Sequence, residues 1–136
     1  MKDMKARFSM LWIFAMFNYL YADLITLMDP LTLKEIMTGN VGAVPMTQGF
    51  LLGAAILMET AIAMVPLSLI LAYGVNRWAN LVIGVLHTAA VFASLFVGGT
   101  MPALYYLFFA TIEILCTSFI VWSAWRWKPA IVRAIA

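Results

Sequence analysis

Four apolar stretches, each long enough to cross a bilayer, dominate the chain, and each carries a polar or ionisable residue near its middle: Asn18, Glu59, His87 and Glu113. A charged side chain at the bilayer centre costs about 2.5–3.5 kcal/mol even on insertion scales, so such residues need protein or water around them. Helices satisfy them by turning them toward a common axis. The pattern therefore predicts an all-α integral membrane four-helix bundle with a polar centre.

Composition excludes the alternatives. Of 136 residues, 65% are hydrophobic and 10% charged, whereas soluble domains carry about 25% charged residues. The spans read as residues 8–28, 46–73, 79–97 and 103–125. About 20 helical residues cross a hydrocarbon core of about 30 Å, so three segments fit directly and the longer second one must tilt, kink or protrude. The whole chain, 1–136, reads as one four-span domain with no room for a soluble catalytic domain. Function then sits inside the bundle, on short loops, or at an interface with another chain.

Charge sets the orientation. Lys2, Lys5, Arg7, Arg77, Arg126, Lys128 and Arg133 fall on one side of such a bundle and Lys34 on the other. The positive-inside rule places both termini and the Arg77 segment in the cytoplasm. The net charge of +2 reflects these flanks and gives no footprint for nucleic acid. The stretch Trp125-Arg126-Trp127-Lys128 reads as an interfacial anchor against anionic headgroups. The basic start of the chain runs into an apolar segment with no small-residue cleavage site after it, so the first span is expected to be retained. Cys116 is the one cysteine, which excludes an intramolecular disulfide and reads as packing.

Between the first two spans, Asp29 suits an N-cap, Pro30 a first helical position and Gly39 a stop, which predicts a short interfacial helix. Residues 39–45 then turn back toward the membrane. In the second span Gly49 and Gly53 form a G-x-x-x-G pair favouring close helix approach, and with it a homodimer. Pro66 removes a backbone bond and predicts a kink two turns beyond Glu59. Residues 74–78 and 98–102 read as tight connections, giving up-down-up-down topology.

Helical spacing assigns the inward faces. Asn80, Gly84, His87, Val91, Ser94 and Gly98 share one face, as do Tyr106, Ala110, Glu113, Thr117 and Ala124. In the first span Ala15, Asn18 and Ala22 share a face, while Asp23 stacks with Tyr19 and Thr26 nearer the outer surface. Candidate ligand or proton sites are therefore Glu59, Glu113, Asn18, His87, Asp23, Tyr19 and Tyr106. Two carboxyls and an imidazole near one depth fit proton handling or acid–base work on a lipid-soluble substrate. Two ionised carboxylates side by side in low dielectric repel, so a shared Glu59/Glu113 centre holds at least one proton. Single residues scattered over three helices give no metal-ligand spacing, and no cofactor motif is present.

Several strings are characteristic together: Leu11-Trp12-Ile13-Phe14 with Asp23, Lys34-Glu35-Ile36-Met37, Met58-Glu59 before Pro66, Asn76-Arg77-Trp78-Ala79-Asn80, Ala110-Thr111-Ile112-Glu113 and residues 122–127. They resemble a family of short bacterial four-span membrane proteins classed as a domain of unknown function. The resemblance covers nearly the whole chain, leaves out His87, and implies a bacterial inner membrane but no activity. Three functions remain open: binding or proton-coupled transport of a small apolar or cationic molecule, a structural or accessory membrane subunit, and a membrane acid–base enzyme. No catalytic residue is assigned.

Overall fold

The computed structural model describes residues 2–97 and 101–129. It is helical throughout, apart from one minimal hairpin. In order come α1 (Lys2–Met28), α2 (Pro30–Met37), β1 (Asn40–Val41), β2 (Val44–Pro45), α3 (Gln48–Ile70), α4 (Tyr73–Ser94) and α5 (Leu104–Arg126). Among the described residues three helices, α1, α3 and α5, are long and apolar enough to cross a membrane.

Each boundary has a local cause. Asp29 precedes Pro30, whose ring drives the preceding residue out of the α region, so α1 stops at Met28. Asp29, in extended conformation, then caps α2: Leu31 N–H donates to its Oδ1 (3.1 Å) and Thr32 Oγ1 to its Oδ2 (2.8 Å). Gly39 follows at φ +84°. The hairpin pairs Asn40 with Pro45 and Val41 with Val44. Its two-residue turn opens on Gly42 at φ +56°, where a turn with a positive φ at its first position requires glycine. Thr47 caps α3 by accepting from Phe50 N–H (3.2 Å).

The connection between α3 and α4 differs from the expected one. Residues 74–78 are helical, and only Leu71 and Ala72 separate the two helices. Asn76, a turn residue by its sequence context, lies wholly buried in the first turns of α4. Its amide donates to the Ser68 carbonyl (2.6 Å), one of the carbonyls that a helix end leaves without an internal partner. The side chain that signals a turn instead closes one. The other expected connection includes Gly98, Gly99 and Thr100, which lie outside the described residues, as does Arg133.

α1 packs against α3 and α5, and α4 packs against α5 and α3. The buried residues of α1 include Phe8, Trp12, Ala15, Tyr19 and Ala22, a spacing of four and three that makes one stripe. On α4 they include Asn76, Asn80, Gly84, His87 and Val91, and on α5 Ala110, Glu113, Thr117, Ile120 and Ala124. α4 and α5 approach closely at Gly84, where a Cβ would stand 2.7 Å from Val121 Cγ2 and 3.6 Å from the Thr117 carbonyl oxygen. Gly49 and Gly53, in contrast, face open space: a Cβ would meet only Thr47 Oγ1 at 3.9 Å from the first and nothing within 4 Å from the second.

One end of the structure is fastened by α4. Arg77 Nε and Nη2 donate to the carbonyls of Ala124 and Trp125 (both 3.1 Å), and Tyr73 Oη donates to that of Trp127 (2.7 Å). Those of Ala124 and Trp125 are among the last carbonyls of α5, where a guanidinium also opposes the negative end of the helix dipole. Phe8 and Tyr73 both pack on the Trp127 ring, so the start of α1, the start of α4 and the end of α5 lie together. Lys2, Lys5, Arg7, Arg77, Arg126 and Lys128 thus gather at that end.

Candidate functional site

Working inward from that end, the first polar layer is a linked set of amides. Trp12 Nε1 donates to Asn80 Oδ1 (2.8 Å). Asn80 Nδ2 donates to the carbonyl and to Oδ1 of Asn76 (2.9 and 2.7 Å), and Asn76 Nδ2 reaches the Ser68 carbonyl. Three helices are joined by these bonds. Trp12, Asn76 and Asn80 are each 0% exposed, and an unpaired buried amide would be costly there.

The second layer lies about two turns further along α4, around His87. Its ring is stacked on Tyr19 (centroids 5.6 Å apart, planes at 26°) and meets Trp12 edge-on (5.5 Å, 74°). His87 Nε2 lies 3.0 Å from Thr60 Oγ1, and that hydroxyl donates its one proton to the Leu57 carbonyl (2.6 Å). With the Thr60 proton on that carbonyl, Nε2 is the donor to Thr60 and the neutral ring carries a bare Nδ1.

His87 also lines a cavity of about 160 Å³ between α1, α3, α4 and α5. Tyr19, Asp23, His87, Ser94, Tyr106 and Glu113 supply its polar lining, and Ala22, Leu57, Met58, Ala90 and Val91 its apolar lining. Three of the polar atoms, Tyr19 Oη, His87 Nδ1 and Glu113 Oε1, are buried with no hydrogen-bond partner among the described residues. Their residues are 7%, 1% and 5% exposed, so bulk water does not satisfy them. Tyr106 Oη donates to Ser94 Oγ, which donates to the Val91 carbonyl (2.7 Å each). Alongside, Thr88 Oγ1 donates to Thr117 Oγ1 (2.7 Å) and Thr117 to the Glu113 carbonyl (2.8 Å), which fixes α5 against α4 next to Glu113.

Of the expected site residues, Tyr19, Asp23, His87, Tyr106 and Glu113 are brought together. Asn18 and Glu59 are not. Asn18 donates to the carbonyl of Phe14 in its own helix (2.8 Å), so a polar side chain at mid-span is satisfied without turning inward. The stripe on α1 runs through Tyr19 in its place. Glu59 is exposed on α3 and lines a separate groove of about 860 Å³ against α1, with Ile13, Phe17, Leu20, Ile62 and Pro66. Tyr19, Asp23 and Met58 line both the groove and the cavity. The shared Glu59/Glu113 centre is therefore not formed. Helix α3 continues through Pro66 to Ile70.

Trp12, Thr60 and Ser68 are not legible as polar partners in the sequence, because each reads as an ordinary core or helix residue until its neighbour is known. Asn80 is placed inward by spacing alone. Among the described residues no group of three or more His, Cys, Asp or Glu side chains is arranged to hold a metal ion. Cys116 is buried, its Sγ 3.5 Å from the Leu11 carbonyl.

Comparison with curated proteins and with solved structures gives no match. Residues 2–133 match a family described as one of unknown function, DUF6326. With nearly its whole length inside that match, the chain belongs to the DUF6326 family.

Proposed function

We propose that this is a small multi-pass membrane protein of four spans that binds a small molecule in its central cavity. The observation that carries the binding reading is that three residues with unpartnered, buried polar atoms, Tyr19, His87 and Glu113, line one cavity. Buried polar groups are nearly always hydrogen-bonded, and a set left without partners around one cavity belongs to a receiving site. A native mass spectrum of protein released from its membrane tests this. The parent should carry a small-molecule adduct that Glu113→Gln loses; an adduct-free parent would count against binding.

The fourth span in this reading is α4. Its composition places it outside the apolar set because Asn76, Asn80 and His87 are polar, yet all three are buried. Its outward residues are Val75, Trp78, Val82, Val85 and Leu86, each large, apolar and exposed. A face of that kind is a lipid-facing surface. With the basic residues gathered at one end, the positive-inside rule places both termini and the Leu71–Ala72 connection in the cytoplasm and α2 at the outer interface. In a Cys116→Ala background, a cysteine at Thr38 should react with an impermeant thiol reagent applied from outside, and one at Lys128 should not. The reverse pattern would overturn the orientation.

A second reading, a structural or accessory subunit, is favoured by the paired Trp12–Asn80–Asn76 layer, whose bonds join three helices and present nothing to a ligand. The open Gly49/Gly53 face of α3 supports a homodimer in either reading, and a single-chain mass from mild detergent at several concentrations would remove that association.

A further inference from the structure

The cavity's polar groups are mostly acceptors, and that inventory points to the guest. The Thr60 proton is engaged by Leu57, so His87 Nε2 donates and Nδ1 is left as an acceptor. Tyr106 spends its proton on Ser94, and Ser94 spends its own on Val91, which leaves a lone pair on Tyr106 Oη. Glu113 Oε1 and the Asp23 carboxyl are acceptors when ionised. With both carboxyls ionised beside a bound cation, Tyr19 Oη is the remaining group with a proton to give. The lining holds two carboxyls and, among the described residues, no lysine or arginine.

From this inventory we propose that the cavity takes a small primary ammonium, its charge beside the Glu113 and Asp23 carboxyls and the Tyr106 hydroxyl and its alkyl part against Leu57, Met58 and Val91. The assignment rests on the binding reading above and narrows it to a chemical class. An ammonium offers three donors and no acceptor, which complements a wall of acceptors, and its charge supplies the carboxylate with the partner that burial demands. A carboxylate guest meets acceptors and two like charges. A neutral alcohol brings one donor where three acceptors wait. At about 30 Å³ for each water-sized heavy atom, 160 Å³ suits a guest of about five heavy atoms.

The test compares three probes of that size, n-butylammonium, n-butanol and butyrate, by calorimetric titration and thermal shift of the full chain in phospholipid nanodiscs, with protein-free nanodiscs as blank. Saturable binding and a raised Tm are expected for n-butylammonium alone. Glu113→Gln should weaken it roughly tenfold or more, the loss of one charge-assisted hydrogen bond, with helicity checked by circular dichroism. Should that variant not fold, Tyr106→Phe, which removes one acceptor and keeps the ring, is expected to weaken n-butylammonium binding and leave the spectrum unchanged. Glu59→Gln, in the separate groove, should bind like the parent. Equal binding of n-butanol would overturn the ammonium assignment while leaving a ligand cavity in place. Binding by none of the three would overturn the assignment too, and the binding reading falls with it only if the native mass spectrum is also adduct-free.

Discussion

Asn80 and His87 lie on the same face of α4, two turns apart, 0% and 1% exposed, and their surroundings could hardly differ more. Around Asn80 the indole of Trp12 and the amides of Asn76 and Asn80 are donors and acceptors to one another and to a backbone carbonyl. Around His87 three polar atoms have no partner among the described residues, and their residues line one cavity. Burial is equal, so exposure does not explain the contrast. The hydroxyls of Ser68 and Ser123 are also unpartnered among the described residues, but neither lines the cavity. The first layer ties helices together with every amide used; the second keeps acceptors in reserve. Polarity in the interior between packed helices thus has two uses, and the hydrogen-bond inventory separates them where composition does not.

The largest expected effect belongs to the tied layer. Asn80→Ala removes the residue through which Trp12 and Asn76 are connected, orphaning the indole N–H and the Asn76 side-chain oxygen. At about 1–3 kcal/mol for each buried unsatisfied group, the variant should lose more thermal stability than Gly84→Ala, Tyr19→Phe or Glu59→Gln. Tryptophan fluorescence on heating in detergent measures it. A Tm within a degree or two of the parent would mean that the bonds around Asn80 fasten nothing, and the distinction between the two layers would collapse.

Next comes the contact that holds α4 to α5 beside the cavity. Gly84→Ala drives a methyl group to 2.7 Å from Val121 Cγ2, and valine is stiff at χ1. Overpacking of this kind costs about 1–3 kcal/mol and would also strain the Thr88–Thr117 bond at the same level. Adding Val121→Ala should restore part of the loss. If the double variant were no more stable than Gly84→Ala alone, the clash would not be the cause.

Helix positions and the cap at Asp29-Pro30 are legible in the sequence because they rest on local rules that the chain obeys: apolar length, a proline that fixes its predecessor, a glycine at positive φ. The faces of α4 and α5 are legible for the same reason, since small and polar residues recur there at helical spacing. The rotation of α1 is not. Spacing permits either Asn18 or Tyr19 to point inward, and the assumption that the more polar residue turns in fails because Asn18 reaches its own Phe14 carbonyl. Glu59 misleads similarly: its depth in the sequence matches that of Glu113, but the face of α3 that carries it opens on the groove. Asn76 reads as a turn, since side-chain amides favour turns, whereas here the amide closes the end of α3. In each case a pairwise partner decides, and partners are absent from a one-dimensional pattern.

A smaller effect, with the opposite sign, should mark the cavity. Tyr19→Phe removes a hydroxyl that has no partner among the described residues and keeps the ring that stacks on His87. Deleting an unsatisfied buried group relieves a desolvation cost, so the protein without added ligand should be unchanged or gain up to about 1 kcal/mol. Trp12→Phe is the matched contrast, since it deletes a donor that is in use and leaves Asn80 Oδ1 bare. The sign of the difference between the two variants in one thermal series decides the matter: destabilisation by Tyr19→Phe as large as by Trp12→Phe would show that the Tyr19 hydroxyl is structurally engaged.

The smallest effect is expected at Glu59, and it sharpens the comparison most. Mid-span depth alone would make Glu59 the equal of Glu113, and a common centre would make their glutamine variants behave alike. The geometry separates them. Glu113 is 5% exposed and faces the acceptor-rich cavity, with Thr117 bonded to its own carbonyl. Glu59 is exposed in a mostly apolar groove that it shares with Tyr19 and Asp23, and neither layer uses it. Glu59→Gln should therefore shift stability by no more than about 0.5 kcal/mol, the ordinary range for a surface position, and leave n-butylammonium binding as in the parent, while Glu113→Gln loses that binding. Calorimetry on the two variants side by side reads both quantities. Loss of binding in both would reconnect the groove to the cavity through Tyr19 and Asp23, the residues that line each, and would make the two carboxyls one site after all.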